Sequence, residues 1–196
     1  MAVKLLAPQF LSDPMSVRRF LREAQAAAAV SHDHVVTIFA IDEEARPPMI
    51  TMEFIEGQSL QQKIDRTGAL DVRSILRIGM QTAFGLEAAH RQGLVHRDVK
   101  PANILLENGI ERVQLTDFGL ARAVDDIGMT RTGQITGTPQ YMSPEQAQGQ
   151  RIDHRTDLFS LGCVLYAMCT GRAAFRADSA VAVMHQIVHE LSLIHI

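Results

Sequence analysis

Four polar side chains set within twenty residues of one another could carry chemistry in this chain: Asp98, Lys100, Asn103 and Asp117. They stand in two runs, His96-Arg97-Asp98-Val99-Lys100-Pro101-Ala102-Asn103 and, fourteen residues after Asn103, Asp117-Phe118-Gly119. Two apolar stretches between them, Ile104 to Leu106 and Val113 to Leu115, read as strands. A carboxylate and a side-chain amide offer the hard oxygen donors that Mg²⁺ prefers. An ammonium two residues from a carboxylate places a phosphate-binding cation beside a proton acceptor. Taken singly, an Asp or Asn next to Gly or Pro is ordinarily a turn residue. The joint order of the two runs outweighs that reading.

That order resembles the catalytic loop and the metal-binding loop of protein kinases, and is nearest the bacterial serine/threonine kinases of the eukaryotic-like type. The resemblance implies transfer of the γ-phosphoryl of ATP to Ser or Thr hydroxyls of proteins. Asp98 would accept or orient the hydroxyl proton, and Lys100 would reach the γ-phosphate. Asn103 and Asp117 would hold Mg²⁺, or Mn²⁺ in its place. His96 and Phe118 are implied to be packing residues, with His96 bonded to backbone.

Further matches flank this centre in the family's order, from Lys4 to about Phe175. Met1 to Leu6 resembles the third strand of a kinase small lobe, so Lys4 would bind the α- and β-phosphates. Glu23, on the helix-forming run Val17 to Val30, would be its partner. Met52 resembles the gatekeeper, and Glu53 to Ile55 the hinge whose backbone groups read adenine; the hinge binding positions are Glu53 and Ile55. Beyond Asp117, Thr130 and Thr132 occupy the place of activating phosphates, for which Arg97 is the implied partner. Thr138 would belong to the substrate platform, Met142-Ser143-Pro144-Glu145 closes the segment, and Asp157 would hold the backbone of the catalytic loop.

The elements that must position these groups are legible from period and caps. Ser16 or Asp13 can cap the first helix, Pro14 suits its first turn, and Phe20, Leu21 and Ala24 make its inward stripe. His34 to Ile41 and Pro48 to Phe54 read as strands, with Gly57 bending the chain into the second half. Asp71 to Arg91 is an amphipathic helix begun by a good N-cap and closed by Gly93. Leu120 to Gln140, rich in Thr, Gly, Asp and Arg without a period, reads as a loop. Ser179 to Glu190 reads as a helix; His185 and His189 lie four apart on it, with no third ligand to make a metal site.

The expected fold is α+β and two-lobed: a truncated small lobe over residues 1–56, an incomplete large lobe over 57–190, and a non-native tail over 191–196. Those last six residues match the translation of a transposase mosaic end used in sequencing-library preparation. No GxGxxG precedes Lys4, so the phosphate lid of the family is expected to be missing, and the chain to be a fragment, weakly active or inactive by itself. Composition agrees with an ordinary globular protein: nearly half the residues are hydrophobic and the net charge is −3, a balance that does not recommend nucleic acid. Cys163 and Cys169 share one helix but not one face, so neither a disulfide nor a zinc site is expected, in keeping with a cytoplasmic setting. No apolar run within the chain is long enough to span a bilayer, although the resemblance allows the parent a membrane anchor elsewhere and a homodimer for autophosphorylation. A catalytically silent binding module and a small-molecule phosphotransferase are the competing functions. The intact Lys4, Glu23, Asp98, Lys100, Asn103 and Asp117 argue against the first, and the platform around Thr138 against the second.

Overall fold

In the computed structural model, residues 1–108, 112–118 and 139–190 are described. The chain begins with a strand, β1 (Ala2–Leu5), followed by helix α1 (Pro14–Ala28). Asp13 caps α1 by accepting the Met15 and Ser16 N–H groups, and Pro14 occupies the first turn, where no intrahelical donor is lost. Phe20, Ala24 and Ala27 turn inward, and Leu21 packs half-buried beside them. This stripe covers an antiparallel sheet ordered β1-β3-β2, with β2 at Ile38–Asp42 and β3 at Met49–Met52. Lys4 lies opposite Ile50, and Ile50 is fully buried beneath α1. A small cluster results, built on Leu6, Phe20, Val36 and Ile50.

The expected strand over His34 to Ile41 proves to be two pieces. Residues 34–36 leave the first sheet: Val36 N donates to Leu115 O at 2.9 Å, and Leu115 N to His34 O at 2.9 Å. Only from Ile38 does the chain pair with β3, across an irregular step between Ile38 and Ala40. Apolar alternation marks extended backbone without saying which strand it pairs with, so one run can serve two sheets.

The second sheet is ordered β4-β5-β6, antiparallel throughout, with β4 at Gly57–Ser59, β5 at Ile104–Glu107 and β6 at Val113–Leu115. Helix α2 (Leu60–Thr67) follows β4 directly and was not anticipated. Its signal was present: Ser59 and Gln62 form a capping box, and Leu60 and Ile64 make an i, i+4 pair that is buried. Helix α3 (Val72–Arg91) is capped by Asp71 through Ser74 N and ends at Gln92, before Gly93 in the left-handed region with φ 73°. It packs on β6 and on helix α5 (Arg155–Thr170). The short α4 (Pro144–Ala147) and the final α6 (Ala180–His189) complete the described elements.

The larger core lies among α3, α5 and the second sheet, around Ile78, Leu86, Ile104, Leu115, Val164 and Met168, each at most 1% exposed. Cys163 is part of it. Burial pushes its thiol up to about 12, which makes it a packing group, while Cys169 on the same helix is exposed.

Gly57 does more than turn the chain. A Cβ there would fall inside the van der Waals envelope of the Leu106 carbonyl oxygen, a backbone atom of β5 with little freedom to retreat. Gly57→Ala is therefore expected to destabilise the fold by about 2 kcal/mol, through displacement of β4 from β5. Equilibrium denaturation measures this, and an unchanged midpoint would show that β5 yields without cost.

Candidate functional site

Asp98 and Asp117 lie at the same end of the second sheet's antiparallel β5–β6 pair, one before β5 and one after β6, where Ile104 faces Leu115. The chain from Arg97 to Asn103 ends in a one-turn helix, Pro101–Asn103, that feeds β5. Asp117 follows β6 by two residues. Both flanking segments carry an unusual backbone. Among the described residues, Arg97 (φ 66°) and Asp117 (φ 64°) are the non-glycine residues with positive φ. Such a conformation costs roughly 1 kcal/mol or more and persists only where surrounding contacts over-determine it.

Those contacts are visible. Asp157, in the first turn of α5 and fully buried, accepts the Arg97 N–H at Oδ1 and the His96 N–H at Oδ2, each at 2.8 Å. His90, near the end of α3, reaches the same Oδ2 at 2.7 Å. A buried carboxylate is costly to hold without partners, and here three donors meet it. His96, also fully buried, faces the Thr116 carbonyl through Nε2 at 3.1 Å and accepts the Asp98 N–H at Nδ1 at 3.3 Å. This bonding makes Nε2 the protonated nitrogen. Its ring lies 4.4 Å from that of buried Phe118. One imidazole thus ties the residue before Asp117 to the amide of Asp98.

The candidate side chains Asp98, Lys100 and Asn103 are drawn into one hydrogen-bonded set. Lys100 Nζ lies 2.7 Å from Asp98 Oδ2. Asn103 Nδ2 donates to the same oxygen at 2.9 Å and to the Asp98 main-chain carbonyl at 2.8 Å. Both bonds consume the Asn103 amide nitrogen, leaving Oδ1 as the acceptor end of that side chain. Together with the Asp117 carboxylate, this gives a donor set of hard oxygens, which fits a hard divalent cation. Among the described residues no cluster of three or more His, Cys, Asp or Glu forms a separate metal site.

Lys4 lies on β1 and Glu23 on α1. Lys4 Nζ contacts Asp117 Oδ1 at 2.7 Å, and Glu23 Oε1 lies 3.6 Å from Arg97 Nη1. The expected Lys4–Glu23 pair is not among these two contacts. The left-handed turn at Asp117 brings its carboxylate to Lys4 on β1, and Arg97 brings a cation to Glu23 on α1. Residue types and order along a sequence do not reveal these contacts.

Along the expected hinge, Met52 is buried and Glu53 N donates to Thr37 O at 2.8 Å, so the Glu53 amide is committed within the fold. Phe54 is exposed, and Ile55 packs partly against the smaller core. Glu145 accepts the Thr156 hydroxyl. Thr130, Thr132, Gly137, Thr138, Gly119 and residues 191–196 lie outside the described residues. Two side chains of this hydrogen-bond network escaped the sequence reading: His90, six residues before His96 and without a motif of its own, and Gln146, whose place in a Ser-x-x-Gln capping box was the available signal.

A helix-covered sheet bearing Lys4 is tied by the Lys4–Asp117 contact to a second sheet with Asp98, Lys100, Asn103 and Asp117 at one end, and the comparisons place the chain in a known family. The protein kinase domain family matches residues 1–196. The chain is 44% identical to a serine/threonine-protein kinase, drp72, of Corynebacterium efficiens, over 96% of this chain and 37% of that protein. It is 42% identical to the probable serine/threonine-protein kinase PknB of Bifidobacterium longum, over 97% of this chain and 29% of the relative. Identity to the PknB of Mycobacterium tuberculosis is 40%, over 96% and 31%. The chain belongs to the protein kinase domain family and spans about a third of the length of these curated relatives. The family uses ATP with a divalent metal ion. Among the described residues no helix is long and apolar enough to cross a membrane.

Proposed function

We propose that this chain is the catalytic part of a bacterial protein serine/threonine kinase that moves the γ-phosphoryl of Mg-ATP to Ser or Thr hydroxyls of proteins. The observation that carries this is the convergence of Lys100 and Asn103 on the single oxygen Asp98 Oδ2, with the Asp98 carbonyl held by the same Asn103. A carboxylate aimed in this way can take the proton of an incoming hydroxyl. The hydroxyl oxygen then bonds to the γ-phosphorus as the bond to the ADP oxygen breaks, and Lys100 stands beside the carboxylate to offset negative charge. Asn103 Oδ1 and Asp117 would hold the cation, which supplies neutralisation of phosphate charge. Lys4 would bind the α- and β-phosphates. Its present contact with Asp117 puts that ammonium next to the proposed metal ligand. The Glu53 and Ile55 main chain would read the adenine edge.

The test is transfer of label from ATP to a generic protein substrate by the complete protein, with Lys4→Ala as the comparison. Loss of phosphate positioning is expected to lower transfer by about a hundredfold or more. A Lys4→Ala protein as active as its parent would remove β1 from the site. The same incubation followed by mass spectrometry is expected to find phosphate on Thr130, Thr132 or both. Absence from both sites would mean that Arg97 serves another partner. Cytoplasmic placement of this part of the chain, a membrane anchor elsewhere in the complete protein, and a homodimer for autophosphorylation belong to the same reading.

A further inference from the structure

The peptide that joins Arg97 to Asp98 is gripped from a direction the catalytic motif does not encode. Arg97 holds its left-handed backbone between two bonds: its N–H donates to Asp157 Oδ1, and its carbonyl accepts Gln146 Nε2, both at 2.8 Å. Gln146 comes from α4, far along the chain. Its own orientation is fixed, because Oε1 accepts the Ser143 N–H at 3.0 Å while its main-chain N–H donates to Ser143 Oγ at 3.3 Å. Ser143 is fully buried and its hydroxyl meets that of Thr156, at the start of α5. With one end of the amide committed to the capping box, only the Nε2 donors face the catalytic loop.

We propose that Gln146 is a positioning residue for phosphoryl transfer, which locks the Arg97–Asp98 peptide and thereby aims the Asp98 carboxylate. The proposal rests on the kinase reading above. Asn103 fixes the carbonyl on the far side of Asp98, and Gln146 the carbonyl on the near side. Without the near bond, the positive φ of Arg97 loses one of its two main-chain restraints, and rotation of that peptide swings Asp98 away from Lys100 and Asn103.

Two substitutions separate this role from helix capping. Gln146→Glu keeps the acceptor that Ser143 N–H uses but presents oxygen, not a donor, to the Arg97 carbonyl. Gln146→Lys does the reverse. In the complete protein, Gln146→Glu is expected to lower kcat about tenfold or more with the KM for Mg-ATP within about twofold, and Gln146→Lys to stay near the parent. Hydrogen exchange of the His96 and Arg97 amides is expected to quicken in Gln146→Glu alone. The reverse pattern, with Gln146→Lys the impaired variant, would reduce Gln146 to a helix cap and overturn the proposal. So would two variants that both match the parent, or two impaired variants with exchange at 96–97 unchanged. If the complete protein transfers no phosphate at all, the kinase reading fails, and the exchange measurement still decides whether Gln146 holds this loop.

Discussion

Asp98→Asn in the complete protein is expected to lower phosphate transfer by about a thousandfold while leaving the fold intact. The side chain keeps its size, and its oxygen can still accept from Lys100 Nζ and Asn103 Nδ2, which lie 2.7 and 2.9 Å from Asp98 Oδ2. What disappears is the capacity to take a proton, a contribution typically worth a factor of 10² to 10⁴. The KM for ATP should change little, because the proposed nucleotide contacts lie with Lys4, Asp117 and the hinge. Initial rates at saturating ATP, with circular dichroism as the control, measure both. A variant that retains most of its activity would remove Asp98 from the chemistry and with it the reading of the whole loop.

Asp157→Asn is expected to give the largest loss of stability among single changes to the site's support. Asp157 accepts from three donors: His96 N, Arg97 N and His90 Nε2. An amide offers one oxygen and turns an N–H₂ toward at least one of those donors. A buried donor left without an acceptor costs about 1 to 3 kcal/mol, and the amide hydrogens facing it add repulsion. The expected loss is about 3 kcal/mol, with a further fall in activity because Arg97 no longer holds its backbone. Denaturant midpoints measure the first effect. A midpoint equal to the parent's would show that the α5 carboxylate is not what fixes this loop.

How much of this arrangement was legible in the sequence depends on which kind of signal carried it. Caps and periods are local, so Asp13, Asp71, Gly93 and the strands at Ile104 and Val113 were readable one segment at a time. Helix α2 had the same kind of signal in Ser59, Gln62, Leu60 and Ile64, but its shortness and its place directly after a strand concealed it. The motif supplied the gathering of Asp98, Lys100 and Asn103. Partner choice was another matter. Lys4 meets Asp117 at a left-handed turn that no residue type announces, because Asp adopts it without being required to. The split of 34–41 between two sheets is hidden for a related reason: Val35 and Ile38 are both apolar, and only the surrounding fold assigns one to β6 and the other to β3.

That split sets where the molecule can bend. Residues 34–36 are sewn to Leu115 by a pair of main-chain bonds, two positions ahead of Asp117. They form a fixed bracket on the second sheet, although they emerge from the end of α1. Any rotation of the first sheet against the second must therefore turn past Val36 on one side and between Glu53 and Gly57 on the other. These two crossings carry the main chain from one sheet to the other. Away from them, the 2.7 Å contact between Lys4 on the edge strand β1 and Asp117 just past β6 is a side-chain tie between the two sheets.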